Sequence, residues 1–302
     1  MKLFVIIVTY KGKQWYDRCF TSLRESTLPV QTIVVDNASN DGSVEYIKEH
    51  YPEIYLIESK ENLGFGKGNN LALRYAYEQG CDYVFLLNQD AWLDDPDVLN
   101  KLVSLSQKYP EYGIISPMHI APDKQSLNMM IEYGNNAYSK RMLSDLYCGT
   151  VKEIYQTNYV NAAAWLLPRK TLSELGGFDP LIFHYGEDDD YLNRARYHGI
   201  KVGISLDSRI VHDHQSGVNA WTKELARRSA VDDLELFLDL NAPFDYHALR
   251  KTWMRRYIKS LFRGKTKERK TAAYKMKYLR KMRDSIEYSR KTNMIKQPNW
   301  IQ

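Results

Sequence analysis

From Tyr83 to Leu87 five apolar or aromatic residues follow one another without a polar break, and Asn88-Gln89-Asp90 ends the run at once. An unbroken apolar stretch of strand length has no solvent face. It suits a central parallel strand covered on both sides. Such a strand needs neighbouring strands and two helical layers, and the preceding chain supplies them. Residues 3–9, 32–36 and 55–58 read as strands, separated by helical stretches over about 14–25, 43–50 and 67–79. This alternation implies βαβ units, a mainly parallel sheet and right-handed crossovers. A helix over about 95–108 and a strand over 113–116 continue it. Open α/β sheets take their ligands just beyond the carboxyl ends of their strands. Asn88 and Asp90, two residues apart on an extended strand end, therefore face one ligand crevice.

The rhythm stops between residues 118 and 158, where Tyr133, Asn135, Asn136, Tyr138 and Tyr147 populate a mixed polar and aromatic segment of short antiparallel strands and loops. It resumes with residues 159–168, a helix over 170–175, the turn Gly176-Gly177-Phe178-Asp179-Pro180, a helix over 187–198, and a strand over 201–206 leading into 209–214. From Trp221 onward the chain reads as helices. With 302 residues, 44% hydrophobic and 26% charged, one large domain plus an appendage is expected, divided as 1–217 and 218–302. Charge separates the two. Residues 250–283 hold fifteen Lys or Arg against Glu268 alone, a local +14; the whole chain carries +5, which leaves −9 for the rest.

Cys19, Cys81 and Cys148 are widely spaced and form no C-x-x-C pair. A disulfide framework or cysteine zinc site is thereby disfavoured and a reducing, cytoplasmic compartment indicated. The apolar N-terminal run is short and lacks a small-residue cleavage site, so it reads as a first buried strand rather than a signal sequence. No stretch approaches the ~18 consecutive apolar residues of a membrane span. In the basic segment, Trp253, Tyr257, Ile258, Leu261 and Phe262 interleave with Lys and Arg at helical spacing. A basic amphipathic helix can lie on an anionic membrane surface, here the inner face of the plasma membrane. The blander reading is a helical hairpin packed on the body with a solvated basic face. Nucleic-acid binding has charge alone in its favour, with no recognised motif.

Five polar clusters carry the chemistry. Asp36-Asn37 and Asn40-Asp41-Gly42-Ser43 follow the second strand; Asp36 ends a buried strand and can accept the N3–H of a uracil or thymine ring, whereas Asp41 reads as a helix cap. Asn62-Leu63-Gly64-Phe65-Gly66-Lys67-Gly68-Asn69-Asn70 follows the third strand. Its glycines let backbone approach a ligand, and the helix start behind them favours an anion. Asn88-Gln89-Asp90 offers a carboxylate to Mg²⁺ or Mn²⁺, hard cations that take oxygen ligands and bridge to phosphates. Asp94, Asp95 and Asp97 read as helix-entry acids. Gly186-Glu187-Asp188-Asp189-Asp190 is the densest acidic cluster. The helix dipole accounts for one or two of these acids, and successive helical residues point about 100° apart, so they cannot share one target. One of them facing the site can act as general base, its pKa raised by its neighbours. Asp188 is the choice, with Glu187 binding or orienting the acceptor. His212 and His214, at i and i+2 near the last strand's end, can complete a metal site begun by Asp90.

In order and spacing these motifs resemble the family 2 glycosyltransferases of the GT-A fold, over roughly residues 3–217. Val8-Thr9-Tyr10 resembles the family's first strand end and Val34 to Ser43 its nucleotide-base loop. Asn62 to Asn70 looks like the segment of the rhamnosyl- and galactofuranosyltransferase branches. Asn88-Gln89-Asp90 occupies the D-x-D position, Gly177-Phe178-Asp179 with Gly186 to Asp190 the acceptor-side motif, and His212 or His214 the later metal histidine. Asn88 stands where the family carries an acid. The resemblance implies inverting transfer from a UDP- or dTDP-linked sugar to a hydroxyl of a glycan or lipid-linked glycan in cell-surface polysaccharide synthesis. It also implies Thr9, Asp36, Asn37, Asn62, Gly66, Asn69, Asn88 and Asp90 on the donor, Mg²⁺ or Mn²⁺ on Asp90 with His214 or His212, and Asp188 and Glu187 in catalysis. Trp165 and Trp92 are candidates for a sugar surface. A non-catalytic nucleotide-sugar or glycan-binding partner of the same fold is the alternative.

Overall fold

The computed structural model describes residues 1–128, 131, 139, 141–213, 234 and 236–302. Tyr133, Asn135, Asn136, Tyr138, His214 and Trp221 lie outside the described residues. The strands are β1 (Leu3–Thr9), β2 (Gln31–Asp36), β3 (Tyr55–Glu58), β4 (Tyr83–Leu87), β5 (Ala91–Leu93), β6 (Tyr112–Ile120), β7 (Ile154–Thr157), β8 (Ala164–Pro168) and β9 (Lys201–His212). The helices of the body are α1 (Lys13–Arg24), α2 (Ser43–His50), α3 (Gly64–Glu78), α4 (Val98–Lys108), α5 (Met142–Tyr147), α6 (Arg169–Leu175) and α7 (Glu187–Tyr197). Two longer ones follow, α8 (Tyr246–Phe262) and α9 (Thr266–Asn293).

The strands form one mixed sheet in the order β3-β2-β1-β4-β8-β6-β9-β5, with β7 on β9. Strands β1 to β4 are mutually parallel; β8 runs against both β4 and β6, and β9 runs parallel to β6. The carboxyl ends of β1, β2, β4 and β9 therefore meet at one edge. The apolar run of β4 is divided between the two faces as its alternation requires. Val84 and Leu86 join Phe4 and Ile6 beneath α3, α6 and α7. Phe85 and Leu87 join Val5 and Ile7 beneath α1, α2 and α4. Both faces are dry, which is why the run carries no polar residue.

β5 is not evident in the sequence, since three residues are too few to show a period, whereas β7 is a short antiparallel strand within the stretch where such strands are expected. β9 is longer than expected, because a bulge against β6 between Pro117 and Met118 absorbs the break near Asp207.

Helices α8 and α9 pack as a hairpin whose far end is joined to the body. Ile286 and Leu279 bury against Ile182, Phe237 and Leu238. The Arg290 guanidinium donates to the carbonyls of Phe237, Asp239 and Ala242 at 2.7–2.8 Å. Ser289 and Asn293 both donate to the buried Asp179 carboxylate. Farther along, the Asn299 carbonyl accepts the Gly177 N–H at 2.8 Å.

Asn70 of α3 makes a second seam. Its Oδ1 accepts the Phe178 N–H and its Nδ2 donates to the Phe178 carbonyl, each at 2.8 Å. Asn70→Ala strands two buried backbone groups and should lower unfolding stability by about 2–4 kcal/mol. Urea denaturation checks this, and a loss under about 0.5 kcal/mol, the scatter of an ordinary surface substitution, would contradict it.

Candidate active site

The pairing of β1 with β2 sets Thr9 beside Asp36. The Thr9 hydroxyl donates to Asp36 Oδ1 at 3.2 Å and the Ser39 N–H to Asp36 Oδ2 at 2.8 Å. Both residues are buried, so Asp36 shapes the loop that follows it. Asp41 accepts from the Ser43 N–H and hydroxyl, as a helix-entry acid does. Asn37 ties the loop to the next motif: its Nδ2 donates to the Gly64 carbonyl at 3.1 Å and its Oδ1 accepts the Leu63 N–H at 3.3 Å. Asn62 Oδ1 accepts the Gly64 N–H at 2.9 Å.

The glycine segment differs from the sequence reading. Helix α3 starts at Gly64, not near 67, so the glycines lie within its first turns. Their lack of side chains serves packing. A Cβ on Gly66 would stand 3.0 Å from Phe178 Cβ, and one on Gly68 would stand 3.0 Å from Val8 Cγ1. The Asn69 amide donates to the Phe65 carbonyl within the helix at 3.0 Å.

Beyond β4 the chain turns sharply. The Ala91 N–H donates to the Asn88 carbonyl at 3.1 Å, and the Asn88 N–H to the Ala163 carbonyl at 2.9 Å. Simple alternation of Asn88 and Asp90 therefore does not hold. Instead β5 returns against β9 with Ala91 opposite His212, which brings Asp90 Oδ1 within 3.5 Å of His212 Nε2. Asn88 Oδ1 is inaccessible to water and has no hydrogen-bond partner. Gln89, between them, clamps the Tyr10 backbone, accepting its N–H at 2.9 Å and donating to its carbonyl at 3.2 Å. His214 lies outside the described residues. Among the described residues no group of three or more His, Cys, Asp or Glu is gathered for a metal.

His119 backs His212, with ring centroids 5.9 Å apart and edge to face. Its Nε2 lies 3.1 Å from the Ser116 hydroxyl. Burial, and then the His212 ring, push its pKa well below the usual histidine value, so it stays neutral. Local sequence carries no signal for it, because the neighbourhood arises from the pairing of β6 with β9.

The acidic cluster opens α7, and its members separate by partner. Asp190 pairs with the buried Arg194 at 2.8 Å, and Arg194 also donates to the carbonyls of Leu175 and Gly177 at 3.0 and 2.8 Å. Burial pushes the Asp190 carboxyl up against the pull of that guanidinium; this pair holds the turn before Phe178. Glu187 is buried, 3.7 Å from His184 Nδ1 through one oxygen, while its other oxygen has no hydrogen-bond partner. Asp188 is half-buried and accepts the Ala162 N–H at 3.4 Å. Loss of water, and then the Glu187 charge, raise its pKa to about 6. Ala162 is followed by Ala163, the residue that holds Asn88, so one two-residue span joins the Asp188 carboxylate to the end of β4.

Two other expectations are corrected. Trp165 is wholly buried against Phe178 and Tyr191 and lines no sugar surface. Asp94 does not open a helix; it bridges Lys124 and Arg209 at 2.8 and 2.7 Å. Trp92 is half-buried with the Arg18 guanidinium 5.2 Å from its ring.

The sequence pattern of glycosyl transferase family 2 matches residues 4–158, just over half of the chain. The chain belongs to glycosyl transferase family 2. It is similar to the N-acetylglucosaminyl-diphospho-decaprenol L-rhamnosyltransferase of Mycobacterium tuberculosis, 24% identical over 63% of this chain and 69% of that protein. A galactofuranosyltransferase of the same organism is 26% identical over 70% of this chain and 69% of its own length. Among solved structures, a mannosyltransferase from Pyrobaculum calidifontis in complex with GDP-Man and Mn²⁺ superposes with a TM-score of 0.54 at 21% identity. That match covers 79% of this chain and 61% of the other, and the shared architecture is the GT-A fold.

In this glycosyltransferase the Asp190–Arg194 pair is a structural brace for the turn that leads into Phe178. Asp190→Ala leaves a buried guanidinium unpaired and should cost about 3–5 kcal/mol of stability in denaturant unfolding; a change within the scatter of surface substitutions would refute the brace.

Proposed function

We propose that this glycosyltransferase moves a sugar, with inversion at the anomeric carbon, from a UDP- or dTDP-linked donor to a hydroxyl of a glycan or lipid-linked glycan acceptor in cell-surface polysaccharide synthesis. The observation that supports the reading is the short link from the Asp188 carboxylate through Ala162 and Ala163 to Asn88, with a carboxylate of raised pKa near the carboxyl end of β4. Residues 1–217 form the catalytic domain and 218–302 a helical extension, and the enzyme works at the cytoplasmic face of the membrane that carries its acceptor.

Thr9, Asp36 and Asn37 shape the loop that takes the base, and Asn62, just before α3, with Gly66 and Asn69 in its first turns, lies on the side of the donor's diphosphate. Asp188 removes the acceptor hydroxyl's proton as that oxygen bonds to the anomeric carbon, while the carbon–oxygen bond to the diphosphate breaks on the opposite face. Glu187 orients the acceptor. Asp90 and His212, or His214 in its place, would hold Mg²⁺ or Mn²⁺, and the buried Asn88 Oδ1, which has no hydrogen-bond partner, would offer a further oxygen. Two or three protein ligands fit such ions, which keep waters and share the donor's phosphates. When bound, the cation offsets charge on the leaving diphosphate. The names of the relatives favour rhamnose or galactofuranose as the sugar, and thermal shift with dTDP-rhamnose and UDP-galactofuranose separates these donors.

Because the Asp188 pKa is raised to about 6 and the ionised form is the base, activity should fall as pH drops through about 6. Asp188→Asn should lower kcat by about 10²–10⁴-fold without loss of fold. Wild-type turnover in that variant would remove Asp188 as base. Asp90→Asn should weaken Mn²⁺ binding, followed by calorimetry, by at least about tenfold, the cost typical even of an outer-shell partner. Transfer that survives exhaustive chelation would defeat the metal assignment.

A further inference from the structure

Among the described residues the base of the α8–α9 hairpin is held to the body by Arg290, Ser289 and Asn293, as described above, while the residues around Gly264 at its tip are exposed. Along α8, Trp253, Tyr257 and Ser260 recur at helical spacing and turn inward. Ser260 is buried, and the Lys275 ammonium of α9 sits 4.6 Å from the Trp253 ring centroid. Met254, Ile258, Leu261 and Phe262 recur at i, i+4, i+7 and i+8 and form a second stripe facing outward. All four are exposed, Phe262 to 87%. An amphipathic helix packed on a partner should turn its apolar stripe inward; this one keeps an apolar stripe on its free face.

The stripe lies in the most basic part of the chain. Residues 250–270 contain ten Lys or Arg and one acid, Glu268, which pairs with Lys265 at 2.7 Å. No helix among the described residues is long and apolar enough to cross a membrane. Positive charge flanking exposed Leu, Ile and Phe matches a bilayer interface with anionic headgroups, where the cations meet phosphate and the apolar groups enter the acyl boundary. A nucleic-acid backbone would satisfy the charge but leave Phe262 and Leu261 in water.

We propose that the tip of the α8–α9 hairpin is a membrane-docking surface that inserts Ile258, Leu261 and Phe262 into an anionic leaflet. The proposal deepens the reading above and rests on it for its purpose, a lipid-linked acceptor. Helix α9 then acts as a strut: Ser289 lies about 35 Å along its axis from Thr266, at 1.5 Å per residue. Its base binds Asp179 in the acceptor-side turn, so a docked tip sets the cleft at a fixed height above the lipid.

Vesicle flotation of the full chain tests this, with phosphatidylcholine alone and with phosphatidylcholine mixed with phosphatidylglycerol. Wild-type protein should float with the mixed vesicles and hardly at all with the neutral ones. Leu261→Ser with Phe262→Ser, and separately Arg263→Gln with Lys267→Gln and Lys270→Gln, should each lower partitioning by at least about tenfold. All five positions are exposed, so thermal melts should match wild type. Equal flotation of the Leu261/Phe262 variant and wild type overturns the proposal. So does absence of wild-type flotation, whether accompanied by binding to duplex DNA or by self-association that the serine variant abolishes. Sugar transfer to a soluble acceptor fragment is measured in parallel: its absence with intact flotation sinks the catalytic reading and leaves the docking surface standing.

Discussion

Asn70 joins parts of the chain 108 positions apart with two hydrogen bonds to a single residue, Phe178. A primary amide is suited to this task, since it offers one donor and one acceptor side by side and matches both polar groups of a peptide backbone. The bonds hold only because the surfaces around them come unusually close. Gly66 gives way to Phe178, Gly64 to the Phe183 carbonyl and Gly177 to Asn70 itself. The half of the sheet built on β1 to β4, with α3, thereby gains a fixed distance from the start of α7, which carries Glu187 and Asp188. Neither half defines a site alone.

Within that frame the four acids at the start of α7 avoid equivalence through what each one touches. Asp190 faces a buried guanidinium and is committed to structure. Glu187 has one oxygen near His184 and the other in a dry pocket. Asp188 is screened from water beside the Glu187 charge, and its proton affinity rises although backbone N–H groups pull the other way. A helix start normally lowers carboxyl pKa values. Here desolvation outweighs the dipole at Asp188, and that inversion makes this carboxylate more basic than a surface acid.

The parallel half of the sheet was legible because its strands are buried on both faces and its helices are amphipathic. The strands over 3–9, 55–58 and 83–87 and the helix over 43–50 fall where periodicity places them. The helix start at Gly64 was not legible, since three glycines read as loop until the surfaces that exclude a side chain are known. The meeting of Asp90 with His212 was partly legible: both residues stood out, but the three-residue strand that joins them has no period to detect. His119, Arg194 and Asn70 owe their roles to contacts across the sheet or between helices. Local sequence contains nothing that distinguishes them from other buried polar residues.

The turn that carries Phe178 and Asp179 has one further property, which concerns time rather than space. Asp179 is bonded to Asn293, 114 positions later, and Gly177 to Asn299. During synthesis β1 to β4 and their helices can assemble while the segment that braces this turn has yet to be made. The turn at Phe178 and Asp179 therefore cannot be braced until Asn293 and Asn299 have been made.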